Sequence, residues 1–191
     1  DCLHEETNST VWEERHAKTM AKLCLLAARD RDSAWMWQEM PNARAALVWA
    51  LTAPGHGGTA VTIATYTSVV RGAGGAIREA LDNLQRVQHL VTEQCPTALA
   101  ARYWHWLGRL GVEGRLPSSQ CIEALRKADA MFTDLEEPRH RHACQRHLAE
   151  AELRSGRIQL AEQHLEEAKR LEHPSNPADR MRRLRVEALL A

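Results

Sequence analysis

"ARYWHWLGRLGVEGRLPSSQCIEALRKADAMF" (101–132) and "ACQRHLAEAELRSGRIQLAEQHLEEAKRLE" (143–172) read as one unit written twice. Gly108 falls on Ala149, Gly114 near Gly156, Cys121 on Ala161, Leu125 on Leu165 and Ala128 on Ala168, at offsets of 40 to 42 residues. Small residues recur where two helices must approach closely, and a glycine sits at the turn between them. A helical hairpin of this kind cannot bury its apolar face alone, so neighbours stack into a solenoid.

The rest of the chain fits an all-helical reading. Ala, Leu, Arg, Glu and Gln, which favour helices, dominate the 191 residues, whereas strand-favouring aromatics are sparse, with one Phe and two Tyr. Pro41, "APGHGG" (53–58), "RGAGG" (71–75), Pro96, Pro117, Pro138, Gly156 and "HPSNP" (173–177) punctuate it as connectors do. Between these breaks the apolar period is helical. Ile77, Leu81, Leu84, Gln88 and Val91 form one stripe, and Ile158, Ala161, Leu165 and Ala168 another. Pro41 and Pro177 stand at first helical turns, the second after the cap Asn176 and before Asp179. The expected layout is an N-terminal helical segment (1–30) leading into the array and first hairpins over 31–95. Repeats then fill 96–191, the last helix serving as a cap or as the start of a further repeat.

Composition narrows the function. Formal net charge is zero, so the general attraction of a nucleic-acid binder is missing, and direct nucleic-acid contact is not expected. Five scattered cysteines (Cys2, Cys24, Cys95, Cys121, Cys144) never form a C-x-x-C pair, which points to free thiols in a reducing cytoplasm. No apolar run approaches the ~20 residues a membrane helix needs. A start at Asp1 suggests a processed chain or a piece of a larger one.

Trp104, Leu107 and Gly108 on one helix, followed by small-x-x-x-Leu-x-x-Ala on the next, resemble tetratricopeptide repeats with long links such as "FTDLEEPRHRHA". "WQEMPNARAALVWAL" (37–51), through Asn42, Arg44, Ala45, Ala46, Leu47 and Trp49, resembles the segment after the nucleotide-binding and winged-helix modules of bacterial STAND-class (NB-ARC-like) ATPases. "ERHAKTMAKLCLLA" (14–27) resembles the helix preceding that segment. The resemblance implies a right-handed α-solenoid of tetratricopeptide-like hairpins. It also implies a non-enzymatic sensor region, coupled to an ATPase upstream in the same chain that regulates transcription. Alternatives are a small-molecule-binding helical domain or enzyme using the glycines of 54–75, and a stand-alone repeat adaptor.

Several stretches suggest chemistry. In "PRHRHACQRHLAE" (138–150), His140, Cys144 and His147 lie at i, i+4 and i+7, a face that can offer two imidazoles and a thiolate to zinc. A structural zinc wants four ligands, and no fourth stands out. The stretch therefore reads as a solvated His/Arg face, with Cys144, Leu148 and Ala151 on the buried stripe. "TYTSVVRGAGGAIREAL" (65–81) has the β-branched run, glycine turn and helix of a phosphate loop, but its G-x-G-G lacks the third glycine of G-x-G-x-x-G. "PGHGGTA" lacks a P-loop lysine. No G-x-S-x-G or local Cys/His pair offers a nucleophile, and Glu136–Glu137 and Glu166–Glu167 read as solvated acids. "RMRRLR" (180–185) reads as exposed surface or a docking patch. No catalytic, metal or cofactor residue is assigned. Trp35, Trp37, Trp49 and Trp104 read as packing residues, with Trp106 left open as a groove residue.

In a tetratricopeptide-like array the first helix of each hairpin lines the concave groove. The resemblance thus places Arg102, His105, Arg109 and Glu113 there, followed by Ala143, Arg146, Glu150 and Arg154. Four arginines and one histidine against two glutamates favour an acidic peptide segment or anionic effector. The competing reading pairs the arginines with Glu113 and Glu150.

Overall fold

A computed structural model describes residues 2–30, 32–73, 76–172 and 177–189. Every regular element among them is helical, in two compact units, Asp1–Cys95 and Pro96–Ala191.

The first unit contains α1 (Cys2–Asp30), α2 (Ser33–Gln38), α3 (Met40–Thr52), α4 (Gly57–Ala73), α5 (Ile77–Val87) and a 3-10 turn, Gln88–Leu90. Asp32 caps α2, its side chain accepting from the Trp35 amide at 3.0 Å. Pro41 stands in the first turn of α3, as expected. Residues 60–70, a strand by β-propensity, are helical because α4 is the central element: α1, α2, α3 and α5 all pack on it. Its buried hydroxyls satisfy themselves locally. Thr67 and Ser68 each donate to the carbonyl four residues back at 2.7 Å. Tertiary burial thus overrides local preference. The Arg44 fork grips Glu79 at 2.6 and 2.9 Å, tying α3 to α5. The "APGHGG" glycines make a helix entry, with Gly55 in the left-handed region (φ 79°). Gly74, Gly75 and Asn176 lie outside the described residues.

The second unit contains α6 (Thr97–Glu113), α7 (Ser118–Asp134), α8 (Pro138–Arg154), α9 (Ile158–Leu171) and α10 (Pro177–Glu187). α6–α7 and α8–α9 are hairpins. α8 also packs on α6 and α7, and α10 packs on α8 and α9. At Gly108 the first hairpin closes tightly: a Cβ there would stand 2.5 Å from Leu125 Cγ and 3.0 Å from the Cys121 carbonyl oxygen. Ala149, fully buried against Ala161 and Leu165, holds the equivalent place in the second. Both turns close alike, Leu116 donating its amide to the Gly111 carbonyl at 2.8 Å and Arg157 to that of Glu152 at 3.0 Å. Each needs a left-handed residue, Arg115 (φ 62°) in one and Gly156 (φ 74°) in the other. Within the expected α9 stripe Ala161, Leu165 and Ala168 are buried, but Ile158 at its start is 55% exposed.

Candidate functional site

α6 and α8 lie side by side and carry the expected groove residues. Arg102 is half-exposed and 3.7 Å from Glu137, rather than from a groove acid. Arg109 lies over the Trp106 ring at 4.5 Å with its Nε 3.4 Å from Glu113. Arg146 donates from Nη2 to His147 Nε2 at 2.9 Å. Exposed Arg154 donates to the Val112 carbonyl, fastening the end of α8 to the end of α6. Glu150 is half-buried, 3.7 Å from His147 Nδ1, and Ala143, two turns earlier on α8, is also half-buried. His105 is not an open groove residue. It is 7% exposed, packed against the Phe132 ring and 5.8 Å, ring to ring, from His147. Burial above all, then the arginines and neighbouring histidines, hold both imidazoles well below the ordinary value of 6.5.

The His140, Cys144 and His147 triplet divides among different neighbours. His140 stacks on Phe132 at 4.7 Å and pairs with Glu137 at 2.5 Å. Cys144 sits in an apolar cluster with Ala101, Ala128 and Phe132, where burial pushes its thiol far up, away from the thiolate a metal requires. His147 turns toward His105. Among the described residues no group of three His, Cys, Asp or Glu side chains can hold a metal ion. The expected solvated face is corrected here: His142 and His147 are 2% and 3% exposed, because α8 is covered by neighbours on several sides. Described cysteines Cys24, Cys95, Cys121 and Cys144 are free thiols.

Sequence reasoning also missed a polar interior. Glu152, fully buried, is held by Arg126 at 3.4 Å and by Arg157, at the base of a cleft of about 400 Å³ that Lys127 also lines. Gln145 donates to Asp129 at 2.9 Å and accepts from His164 Nδ1 at 2.7 Å, which joins α7, α8 and α9. In "RMRRLR", Arg183 is buried between Glu172 (2.8 Å) and Glu187 rather than exposed. Trp104 and Trp106 are half-buried, as are Trp35 and Trp49, whereas Trp37 is 41% exposed. The i, i+3 and i+4 spacing of these polar residues was the available signal, but it marks a helix face without saying that the face is covered.

No helix among the described residues is long and apolar enough to cross a membrane. No family model matches the chain, and no curated protein or solved structure matches it.

Proposed function

We propose that residues 96–191 form a right-handed, tetratricopeptide-like solenoid whose groove, along α6 and α8, recognises an acidic peptide segment or anionic effector without catalysis. In this reading the chain is the sensor region of a larger cytoplasmic bacterial STAND-class regulator of transcription, coupled to an ATPase upstream. The observation that carries the groove is the register of its two helices. Arg154 reaches the Val112 carbonyl and His105 faces His147, so Arg102, Arg109, Arg146 and Arg154 share one strip with Trp106. The ion pairs that Arg102 and Arg109 make within the chain are weak. Arg102–Glu137 and Arg109–Glu113 are partly exposed contacts at 3.7 and 3.4 Å, worth about 0–1 kcal/mol each. An anionic ligand can outbid such pairs through bidentate contacts. Titration of a fluorescent Glu/Asp-rich peptide, followed by anisotropy, tests this. R102E/R109E should weaken binding at least tenfold with Tm nearly unchanged, and full affinity in that variant would move the functional surface elsewhere.

A further inference from the structure

The turn between α8 and α9 carries charge where its counterpart carries none. Between α6 and α7 the turn closes on Gly111 and Leu116, and Leu116 packs against the cluster of Val112, Cys121 and Leu125. Between α8 and α9 the same backbone bond joins Glu152 and Arg157. Glu152 is wholly buried, and its two oxygens meet different arginines: Oε1 accepts from Arg126 Nη2 at 3.4 Å, and Oε2 from Arg157 Nε. Desolvating such a carboxylate is costly, and an apolar residue closes the sister turn, so closure alone does not call for the charge. We propose that the cleft above Glu152 binds a small organic monocarboxylate, with Arg126 and Arg157 as its two donors and Glu152 as the residue that positions them.

The cleft has room for such a ligand. Its volume of about 400 Å³ falls within the range of roughly 300–1,000 Å³ usual for small-molecule sites. Arg126 comes from α7, Glu152 from the last turn of α8, and Arg157 from the residue that precedes α9. The left-handed Gly156 turns the chain so that Arg157 comes back onto Glu152. Each guanidinium carries several N–H donors. Glu152 takes one from each, and among the described residues no other acceptor meets either side chain. Arg126 and Arg157 are 59% and 47% exposed, which leaves their unused donors open to the cleft. The sign of the ligand follows from what it can touch. Glu152 is sealed off, and the exposed groups are Arg126, Lys127 and Arg157 against Glu123, which Lys127 pairs at 2.7 Å. Counting Glu152 as well, three cations against two acids leave one positive charge, which a monoanion neutralises and a dianion overcompensates. Ile122 offers an apolar wall for the hydrocarbon part. Because Glu152 already holds both arginines, little side-chain entropy is left to lose on binding. No residue of the α6–α8 strip lines this cleft, so the site stands apart from the groove reading.

The arginine 15Nε–1Hε signals, followed while sodium hexanoate is titrated at neutral pH and constant ionic strength, test the site. Those of Arg126 and Arg157 should shift saturably. Hexanamide, equal in shape but uncharged, should bind about tenfold more weakly, and acetate, which lacks the hydrocarbon part, several-fold more weakly. Arg126→Gln should weaken hexanoate by about tenfold, the loss expected for a charged hydrogen bond. Arg126→Lys keeps a cation beside Glu152, and with it the fold, yet should still weaken hexanoate several-fold by removing the fork. R102E/R109E alters only the groove and should leave hexanoate binding unchanged. Unmoved Arg126 and Arg157 signals, hexanamide as tight as hexanoate, or full affinity in the Arg126→Lys protein overturns the subsite. Inorganic phosphate binding more tightly than hexanoate, or loss of hexanoate binding in R102E/R109E, overturns it as well.

Discussion

The hairpins α6–α7 and α8–α9 share a backbone frame and fill it differently. Both place a small residue at the close approach (Gly108, Ala149), a leucine opposite (Leu125, Leu165) and a left-handed residue in the turn. The first is filled by large nonpolar side chains: Tyr103, Leu110, Leu125 and Phe132 are all wholly buried. The second buries His142, Gln145, His147 and Glu152 along α8. A repeat thus constrains where helices touch, and leaves other interior positions able to hold charge when a neighbouring helix supplies partners.

That asymmetry makes the α8 side sensitive to acid. The folded protein holds His105 and His147 neutral, whereas the unfolded chain protonates them near 6.5. Their contribution is intact above 6.5 and is lost as pH falls below it toward their depressed folded values. The cost is about 1.4 kcal/mol per pH unit for each group. His140 and His164, also lowered chiefly by burial, add in the same direction. Urea unfolding at pH 7.5 and 5.5 should therefore differ by about 3 kcal/mol from the first pair alone, and H105N/H147N should remove most of that difference. An unchanged midpoint would mean that the two rings are solvated.

Legibility divided along the same line. The positions of Gly108, Ala149, Leu125 and Leu165 were readable because only close helix approach explains small residues and leucines recurring 40 to 41 positions apart. The helix over 60–70 was readable through its neighbours, against its own β-branched residues. The interior of α8 was not: His142, Gln145, His147 and Glu152 look like solvent residues in sequence, and their burial depends on α6, α7, α9 and α10 stacking around them. For the proposed groove, the sequence put its residues on the helices that became α6 and α8, but neither the burial of His105 nor the contacts of the arginines could be read from it. Arg102 meets Glu137 from the interhelical link, and Arg154 meets a backbone carbonyl.

Substitution at the close approach should separate the hairpins next. Gly108→Ala should destabilise by about 1–3 kcal/mol, because the new methyl meets Leu125 and a backbone carbonyl. The gain in helix propensity, about 1 kcal/mol, is already outweighed in that figure. Ala149→Gly should cost about 1–2 kcal/mol, from helix propensity and the loss of a buried methyl. Chemical denaturation of both variants checks the pair, and a stabilised Gly108→Ala would refute tight closure of α6 on α7.

The smallest effects belong to the turns. Arg115→Gly should stabilise by about 0.5–1 kcal/mol, by relieving a left-handed non-glycine residue, and Gly156→Ala should destabilise by about 1 kcal/mol. Equal responses at both sites would deny that the two turns share one geometry.

The groove is best tested through its two tryptophans. Trp106 lies under Arg109, whereas Trp104, on the same helix, packs against the cluster of Ala101, Ala128, Phe132 and Cys144 and lies under Lys127. The indole 15N–1H signals of both can be followed while a Glu/Asp-rich peptide is titrated into the protein. Recognition along the α6–α8 strip predicts that the Trp106 signal shifts saturably while that of Trp104 stays in place; a moving Trp104 beside a fixed Trp106 would contradict it.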